Sequence, residues 1–152
     1  MITVPAVPAG LVPDPGWEAV PTARGRTTAG FRLRRDGVTV DVRLERCAAG
    51  RLRHTYPAGA HDLEIRVAGC PDDLLPALPR SLTAAVRAAD PHCRRAVLAV
   101  PAADRGRITA AEAAGYRHAV DVDLGTEELA LLVAEPDWVT GTDIDLDRVP
   151  GA

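Results

Sequence analysis

Residues 63–89, LEIRVAGCPDDLLPALPRSLTAAVRAA, and residues 96–133, AVLAVPAADRGRITAAEAAGYRHAVDVDLGTEELALLV, decide the fold of this chain. At the start of the first segment, apolar Leu63, Ile65 and Val67 alternate with charged residues. A period of two is typical of a strand that buries one face and exposes the other. The segment therefore begins with a half-buried strand.

The rest of these two segments alternates between helix and strand. An amphipathic stretch predicts a helix over residues 79–89. A short apolar run at residues 94–101 predicts a strand covered on both faces. A second helix is expected over residues 107–114, because Gly115 stands where a helix C-cap glycine usually does. Two final strands, joined by a turn at Gly125, complete the pattern.

The upstream sequence predicts a β-hairpin behind a proline-rich arm. Residues 28–35 and 38–46 alternate in polarity around an Asp-Gly pair, which is a hairpin signal. Prolines recur too often in residues 1–21 for a helix, so we expect an extended arm there, with a short strand near residues 17–20. We divide the chain into an arm (1–21), one domain (22–140) and an acidic tail (141–152). The expected order is β-β-β-α-β-α-β-β, an α/β fold.

Composition excludes several classes of function. The chain has 152 residues, enough for one domain, and a net charge of −3 without a basic stripe, which disfavours nucleic-acid binding. No apolar run approaches the roughly 18 residues of a membrane span. All 18 basic residues are arginine, which indicates a genome rich in G and C. Three cysteines without a CxxC pair favour a reduced, cytoplasmic location.

The strand, the helix that ends in Gly115-Tyr116 and the final hairpin resemble the last third of the GNAT superfamily of N-acetyltransferases. The similarity extends over residues 38–139. It implies a GNAT-like mixed, mostly antiparallel sheet flanked by helices. The fold would be reduced at the N-terminus, because no helical period precedes residue 70, where the family usually has two helices.

The resemblance also implies a place for acyl-CoA, in an opening between the fourth and fifth strands. The pyrophosphate would lie on free amides at the start of the next helix, where glycines let the backbone approach. This chain has DDLLPALP at residues 72–79 instead, and no glycine between Gly69 and Gly106. The candidate coenzyme-binding residues, by backbone or by guanidinium, are Val67, Ala68, Gly69, Arg80 and Arg105; Arg107 is a further basic group nearby.

Several side chains are candidates for proton transfer or covalent chemistry. Glu64 is a candidate general base if it lies near the opening; the alternative is an exposed strand glutamate beside Arg66 or Arg43. His61 and His54 are the other candidate bases, or else loop histidines. Further candidates are Tyr56 or Tyr116 as a general acid and Cys70 as a nucleophile, because a helix N-terminus would lower the pKa of that thiol. The alternatives for Tyr116 and Cys70 are a core tyrosine and an inert thiol.

Three functions remain open at this point. The first is acyl transfer from acetyl-CoA or another acyl-CoA to an amine of a small molecule. The second is a GNAT-like enzyme repurposed for CoA-independent cyclisation, elimination or isomerisation. The third is a non-catalytic binding or regulatory module. A second copy of the chain is a candidate partner, and no metal is expected because the histidines and cysteines lack metal-ligand spacing.

Overall fold

The computed structural model describes residues 4–8, 11, 16–54, 59–75 and 77–135. These residues form one seven-stranded sheet and two α-helices. In chain order the elements are β1 (Glu18–Arg24), β2 (Thr28–Arg35), β3 (Val38–Arg46), β4 (Leu63–Ala68), α1 (Ala77–Ala89), β5 (Ala96–Pro101), α2 (Arg105–Ala113), β6 (Arg117–Asp123) and β7 (Glu128–Ala134).

The sheet is mixed and mostly antiparallel, as predicted. Its strand order is β1-β2-β3-β4-β5-β7-β6. Every neighbouring pair is antiparallel except β4 and β5, which are parallel because α1 carries the chain back between them. The single parallel pair lies in the middle of the sheet.

The β2–β3 hairpin forms where the sequence predicts it. Asp36 and Gly37 both have positive φ, 51° and 80°, which the two-residue turn requires. Pairing runs without a shift from Arg35↔Val38 to Thr28↔Glu45. The alternation of β3 therefore places its valines and leucine on the face that packs against the helices.

Both faces of the sheet are apolar, but to different extents. The larger core lies between the sheet and the two helices, and Leu78, Leu82, Val86 and Ala111 are the helical side chains buried there. A smaller cluster on the other face lies beneath β5 and β7. Leu52, from the chain between β3 and β4, belongs to this second cluster. The almost wholly apolar sequences of β5 and β7 follow from this cover on both faces.

The N-terminal region is more closely integrated than the sequence predicts. The expected short strand at residues 17–20 is longer, because β1 continues across the proposed boundary at residue 21 and pairs with β2. Pro21 is compatible with this position because β1 is an edge strand, and the register shifts between Pro21 and Ala23. Val7 and Trp17 are buried in the main core.

Both helices begin two residues before the predicted start, the first ends as predicted, and the second ends one residue earlier. The first helix begins at Ala77, and the second begins at Arg105 because Asp104 accepts a hydrogen bond from the Arg107 amide at 3.1 Å as its N-cap. No α-helix precedes Ala77 in the part of the chain that the structure describes, which agrees with the reduced N-terminus. Tyr56, Val139 and the tail at 141–152 lie outside the described residues.

Candidate active site

An opening in the middle of the sheet separates the ends of β4 and β5. The two strands pair only at Leu63↔Ala96 and Glu64↔Val97. Beyond these positions β4 stays paired with β3, and β5 stays paired with β7. Each strand therefore leaves the facing edge of its C-terminal half without a strand partner.

Backbone groups of both strands point into this opening. The Leu63 amide donates to the Arg95 carbonyl across the β4–β5 pair at 3.1 Å. The backbone groups of a strand alternate in direction with a period of two, so the Ile65 and Val67 amides also point towards β5. The same alternation directs the Ala68 amide to β3, and it turns the N–H and C=O of Ala99 towards β4.

The strand geometry directs the backbone groups that were predicted to bind the coenzyme to different sides of β4. The Val67 amide faces the opening, whereas Ala68 is the partner of Asp41 in β3. Gly69 follows the strand with φ of 80°, a conformation that favours glycine, so its role here is to turn the chain.

A cavity of about 210 Å³ occupies the opening. On the helical side of the sheet its walls are apolar: Ile65, Val67, Leu98, Pro79, Ala110 and Ala111 contribute. Arg51 and Arg66 line it as well. Because Arg66 alternates with Ile65 and Val67 along β4, its side chain lies on the opposite face of the sheet. The cavity therefore reaches through the sheet from the helices to a charged face.

The charged face holds a cluster of two guanidiniums around one carboxylate. Arg51 donates to Glu64 with both Nη2, at 2.6 Å, and Nε, at 3.3 Å. Arg66 Nε donates to the same carboxylate at 3.2 Å, and Arg66 Nη2 donates to Glu45 at 2.6 Å. Arg51 Nη1 reaches Glu127 at 3.3 Å. The hydrogen bond to Glu64 is the main cause of a raised pKa for the Arg51 guanidinium.

Glu64 is not the exposed strand residue that one alternative predicted, although it does lie beside Arg66. Its side chain is 1% exposed, because the chain between β3 and β4 folds over this face and places Arg51 and buried Leu52 against it. Both carboxylate oxygens accept hydrogen bonds from the two arginines. Little lone-pair capacity remains to accept a proton from a substrate.

Arg51 was not a candidate from the sequence, and no local pattern singles it out. For the charged residues on β3 and β4, the pairing of the two strands gives a partial signal of the cluster. Glu45 lies directly opposite Glu64, and Arg43 lies directly opposite Arg66. Like charges opposite each other are unfavourable, so the diagonal pairing of Arg66 with Glu45 is the arrangement expected once the register is known.

The structure does not bring the candidate histidines to the opening. His61 precedes β4 at the end where β4 and β5 are paired, and its ring lies 5.4 Å from that of His92. Its buried Nδ1 has no hydrogen-bond partner in the described part of the chain. His54 is exposed on the turn after Leu52. Neither histidine lines the cavity.

The start of α1 offers few free amides to a phosphate. Asp72–Leu74 form a short 3-10 turn, in which the Leu74 and Leu75 amides donate to the carbonyls of Pro71 and Asp72. In the first turn of α1, Pro79 has no N–H. Asp72 and Asp73 are exposed in front of this helix end. A phosphate would meet two carboxylates and a depleted set of donors there.

The two candidate clamp arginines are held differently. Arg80 donates from Nη2 to the Ala113 carbonyl, so it joins α1 to the C-terminal end of α2. Arg105 is exposed at the first residue of α2. Arg107 is the arginine of this group that lines the cavity, and it lies 3.8 Å from Asp104. Among these three side chains, Arg107 is the best placed to meet a ligand in the opening.

Of the two alternatives for Cys70, the surroundings of the thiol favour the inert one. Burial raises the pKa of the Cys70 thiol, and the nearby Asp73 and Asp72 raise it further, while Arg107 lowers it. A thiol with a raised pKa is a poor nucleophile, because the thiolate is the reactive form. Cys70 still lines the cavity, as a half-buried side chain in its protonated form.

Tyr116 is a core residue. Its ring is 4% exposed, and its hydroxyl shares a hydrogen bond with Thr83 Oγ1 on α1. Burial raises its pKa to about 12. The hydroxyl thus joins α1 to the strand that follows α2, and it does not line the cavity.

The described residues also bear on metal binding and on membrane insertion. They contain no group of three or more histidine, cysteine, aspartate or glutamate side chains that could hold a metal ion. None of their helices has the length and apolar character needed to cross a membrane.

Solved structures share this architecture. An uncharacterised protein from Bacillus halodurans matches 74% of this chain and 61% of its own at 15% identity, with a TM-score of 0.65. The aminoglycoside acetyltransferase AAC(6')-Ib in complex with coenzyme A matches 77% and 71% at 13% identity, with a TM-score of 0.61. The GNAT domain of S. lividans PAT matches 72% and 61% at 21% identity, with a TM-score of 0.50.

The fold is therefore the GNAT acetyltransferase fold, as the sequence resemblance predicted. This chain spans about three fifths of the length of the Bacillus halodurans protein. No protein-family model matches the sequence, and no curated protein matches it either. Identities of this size show the fold alone, because one fold can host many different activities.

Proposed function

We propose that this protein transfers an acyl group, in the simplest case acetyl, from acyl-CoA to an amine of a small molecule. The observation that carries the proposal is the opening between β4 and β5, whose cavity is not filled by side chains. Because β4 and β5 separate beyond Glu64 and Val97, a linear thioester arm could enter between the strands. The aminoglycoside acetyltransferase of the same fold was solved with coenzyme A, which supports this choice of donor.

The backbone of the opening supplies the chemistry. The amine nitrogen would attack the thioester carbonyl carbon, the C–S bond would break, and the products would be an amide and the free thiol of the coenzyme. Negative charge develops on the carbonyl oxygen during the attack, and the Val67 amide points to the place where that oxygen would lie. A fixed donor in a dry site stabilises such an oxyanion effectively.

Positioning takes the place of a dedicated base in this proposal. Glu64 has both oxygens bound by arginines, so we assign it to holding Arg51 and Arg66 in place. The amine would enter in its neutral form, and its surplus proton would leave with the thiolate or with solvent. Holding the two reactants in line accounts for a large share of catalysis in such direct transfers.

Calorimetry with acetyl-CoA tests this proposal, with a micromolar dissociation constant as the expected result. In Ala110→Phe the new ring would fill the cavity, and we expect the affinity to fall at least about 30-fold, or roughly 2 kcal/mol. Ala113→Phe is the matched control, because Ala113 is an exposed residue of the same helix. Absence of binding at millimolar acetyl-CoA would refute the proposal.

A second candidate function follows from the helix start. Asp72, Asp73 and the missing amide of Pro79 oppose a pyrophosphate, so the opening would serve a different ligand in a CoA-independent reaction such as cyclisation, elimination or isomerisation. Native mass spectrometry of the purified protein distinguishes the two. Co-purified coenzyme A supports acyl transfer, and a different bound metabolite supports the second candidate.

A further inference from the structure

We infer that the acceptor is an amine that also carries a carboxylate, and that Arg51 and Arg66 bind this carboxylate. The inference rests on the proposed acyl transfer and narrows its substrate class. It follows from the charged end of the cavity, where guanidiniums and not carboxylates face the space that a substrate would occupy.

The exposure of the cluster shows which charge a ligand meets. Arg51 and Arg66 have side chains that are 29% and 33% exposed, and both line the cavity. Glu64 lies behind them at 1% and does not line it. An incoming molecule therefore contacts the outer side of the guanidiniums, whose inner side is fixed by Glu64.

Donors remain available on this outer side. Arg66 binds its two glutamates through Nε and Nη2, and its Nη1 donates no hydrogen bond to any described residue. Arg51 donates a hydrogen bond from Nη1 to Glu127 at 3.3 Å, which is long, and the Glu127 side chain is half exposed. A substrate carboxylate can displace that contact. Two guanidiniums already held in place lose little side-chain freedom when they bind an anion.

The expected oxyanion donor and one of the guanidiniums come from neighbouring residues. The Val67 amide would mark the place of the thioester oxygen, and Arg66 is the preceding residue of the same strand. Both residues line one cavity, so a small acceptor such as an amino acid could meet both of them.

A polycationic acceptor would fit this end of the cavity poorly. A second ammonium would approach Arg51 and Arg66, and like charges in a partly desolvated site repel strongly. Asp72, the carboxylate among the lining residues, is on the opposite side of the opening beside α1. The cluster thus discriminates against polyamines as well as attracting carboxylates.

Matched acceptors test this inference. Thiol release from saturating acetyl-CoA would be measured with the standard amino acids, with their carboxamides, which keep the amine and lose the negative charge, and with spermidine. We expect the best amino acid to exceed its carboxamide at least about tenfold in kcat/KM, mainly through KM. Spermidine is expected to be slower still.

Variants of the arginines locate the effect. Arg66→Lys and Arg51→Lys keep the charge and lose the fork, so each should raise KM for the amino acid about tenfold while leaving the dissociation constant of acetyl-CoA unchanged. Arg43→Gln is the control, because Arg43 lies 3.9 Å from Glu45 in the same network but does not line the cavity.

The outcomes of these experiments distinguish the inference about the acceptor from the proposed acyl transfer. Faster turnover of carboxamides or spermidine than of amino acids would overturn the inference and leave acyl transfer standing. Binding of acetyl-CoA without turnover of any amino acid would overturn it too. Absence of acetyl-CoA binding would instead refute the proposed function. An unchanged KM in both lysine variants would show that the carboxylate lies elsewhere.

Discussion

Glu64 illustrates how burial changes the role of a residue. As a carboxylate on the central strand it was a candidate base, but it is bound by Arg51 and Arg66 and shielded from the cavity. A carboxylate saturated in this way is better suited to fixing two cations than to accepting a proton. Its contribution to the activity would then be indirect, through the geometry of the arginines.

Replacement of Glu64 tests this role. Glu64→Gln removes the negative charge that the two partly exposed guanidiniums share and places an amide N–H₂ group against them. We expect the free energy of unfolding to fall by about 2 kcal/mol, less than for a fully buried pair because water screens the arginines. Urea denaturation followed by circular dichroism measures the change. Glu127→Gln, at the exposed end of the network, should alter it by less than about 0.5 kcal/mol.

Kinetics of the same variant separate positioning from base catalysis. A general base would lose most of kcat when it becomes an amide, whereas a positioning residue should mainly raise KM for the acceptor. Retention of kcat within about tenfold is the expected result. A fall of three orders of magnitude in kcat with unchanged KM would contradict the positioning role.

Buried neutral groups predict how stability depends on alkaline pH. Burial raises the pKa of Cys93 from 9.0 to about 11 and that of Tyr116 from 10.0 to about 12. Both groups are neutral in the folded state at a pH where the unfolded chain has lost the proton. Their contribution is therefore complete below pH 9 and is lost as the pH rises towards 12.

The expected loss is measurable with urea titrations at two pH values. Between pH 8 and pH 10.5 Cys93 alone should lower the free energy of unfolding by about 2 kcal/mol, and the buried Cys47 thiol, whose pKa burial also raises, adds to this fall. Cys93→Ala should show a smaller fall over the same interval, whatever its stability at pH 8. An identical fall in both proteins would contradict the assignment to Cys93.

At the scale of elements, the start of α1 would decide how a coenzyme in the opening is held. A helix N-terminus binds phosphate through free amides and a positive dipole. Here Asp72 and Asp73 reverse the local charge, and Pro79 removes a donor. The apolar opening is unaffected, so the pantetheine arm would supply most of the binding.

Acetyl-CoA and S-acetylpantetheine, which lacks the nucleotide, provide the test. We expect their dissociation constants to agree within about threefold, because the pyrophosphate gains little at this helix start. The double variant Asp72→Asn, Asp73→Asn should improve binding of acetyl-CoA alone, by about three- to tenfold. A preference of more than 30-fold for acetyl-CoA in the unmodified chain would show that Arg107 or another group replaces the amides.

Local patterns predicted most of the elements, and the failures have physical causes. The alternation in β2, β3 and β4 and the apolar run of β5 were sufficient, since each pattern reflects burial on one or both faces. The full length of β1 was not predicted, because the prolines of residues 1–21 favoured an extended arm that ended at Pro21. Pro21 is tolerated because β1 has only one neighbour.

For the whole molecule, what the sequence could not predict is contact between distant segments. The resemblance of consecutive elements to the GNAT superfamily implied both the fold and the position of the opening. The charged end of the cavity depends on Arg51, which reaches Glu64 from an irregular connection. Irregular connections carry no periodic pattern, so the electrostatics of the candidate site depend on contacts that the sequence does not predict.

The same reasoning applies to the N-terminal segment, which the sequence presents as a peripheral arm. Arg46 is buried with a side chain 2% exposed, and it donates to the carbonyls of Pro5 at 3.1 Å and Ala6 at 2.7 Å. Asp90 lies 2.8 Å from the same guanidinium. The Val7 amide in turn donates to the Arg26 carbonyl at 2.9 Å. The segment therefore supplies hydrogen-bond acceptors to the buried Arg46 guanidinium.

Deletion of residues 1–8 should therefore destabilise the whole domain. Arg46 would lose two charge-assisted hydrogen bonds and the core would lose buried Val7, so we expect a fall of about 3 kcal/mol in the free energy of unfolding. Removal of residues 1–3 alone is the control. In an Arg46→Met background the deletion should lower the free energy of unfolding by less, because the guanidinium that binds the two carbonyls is absent. Equal costs in both backgrounds would show that the segment stabilises the fold by apolar contact alone.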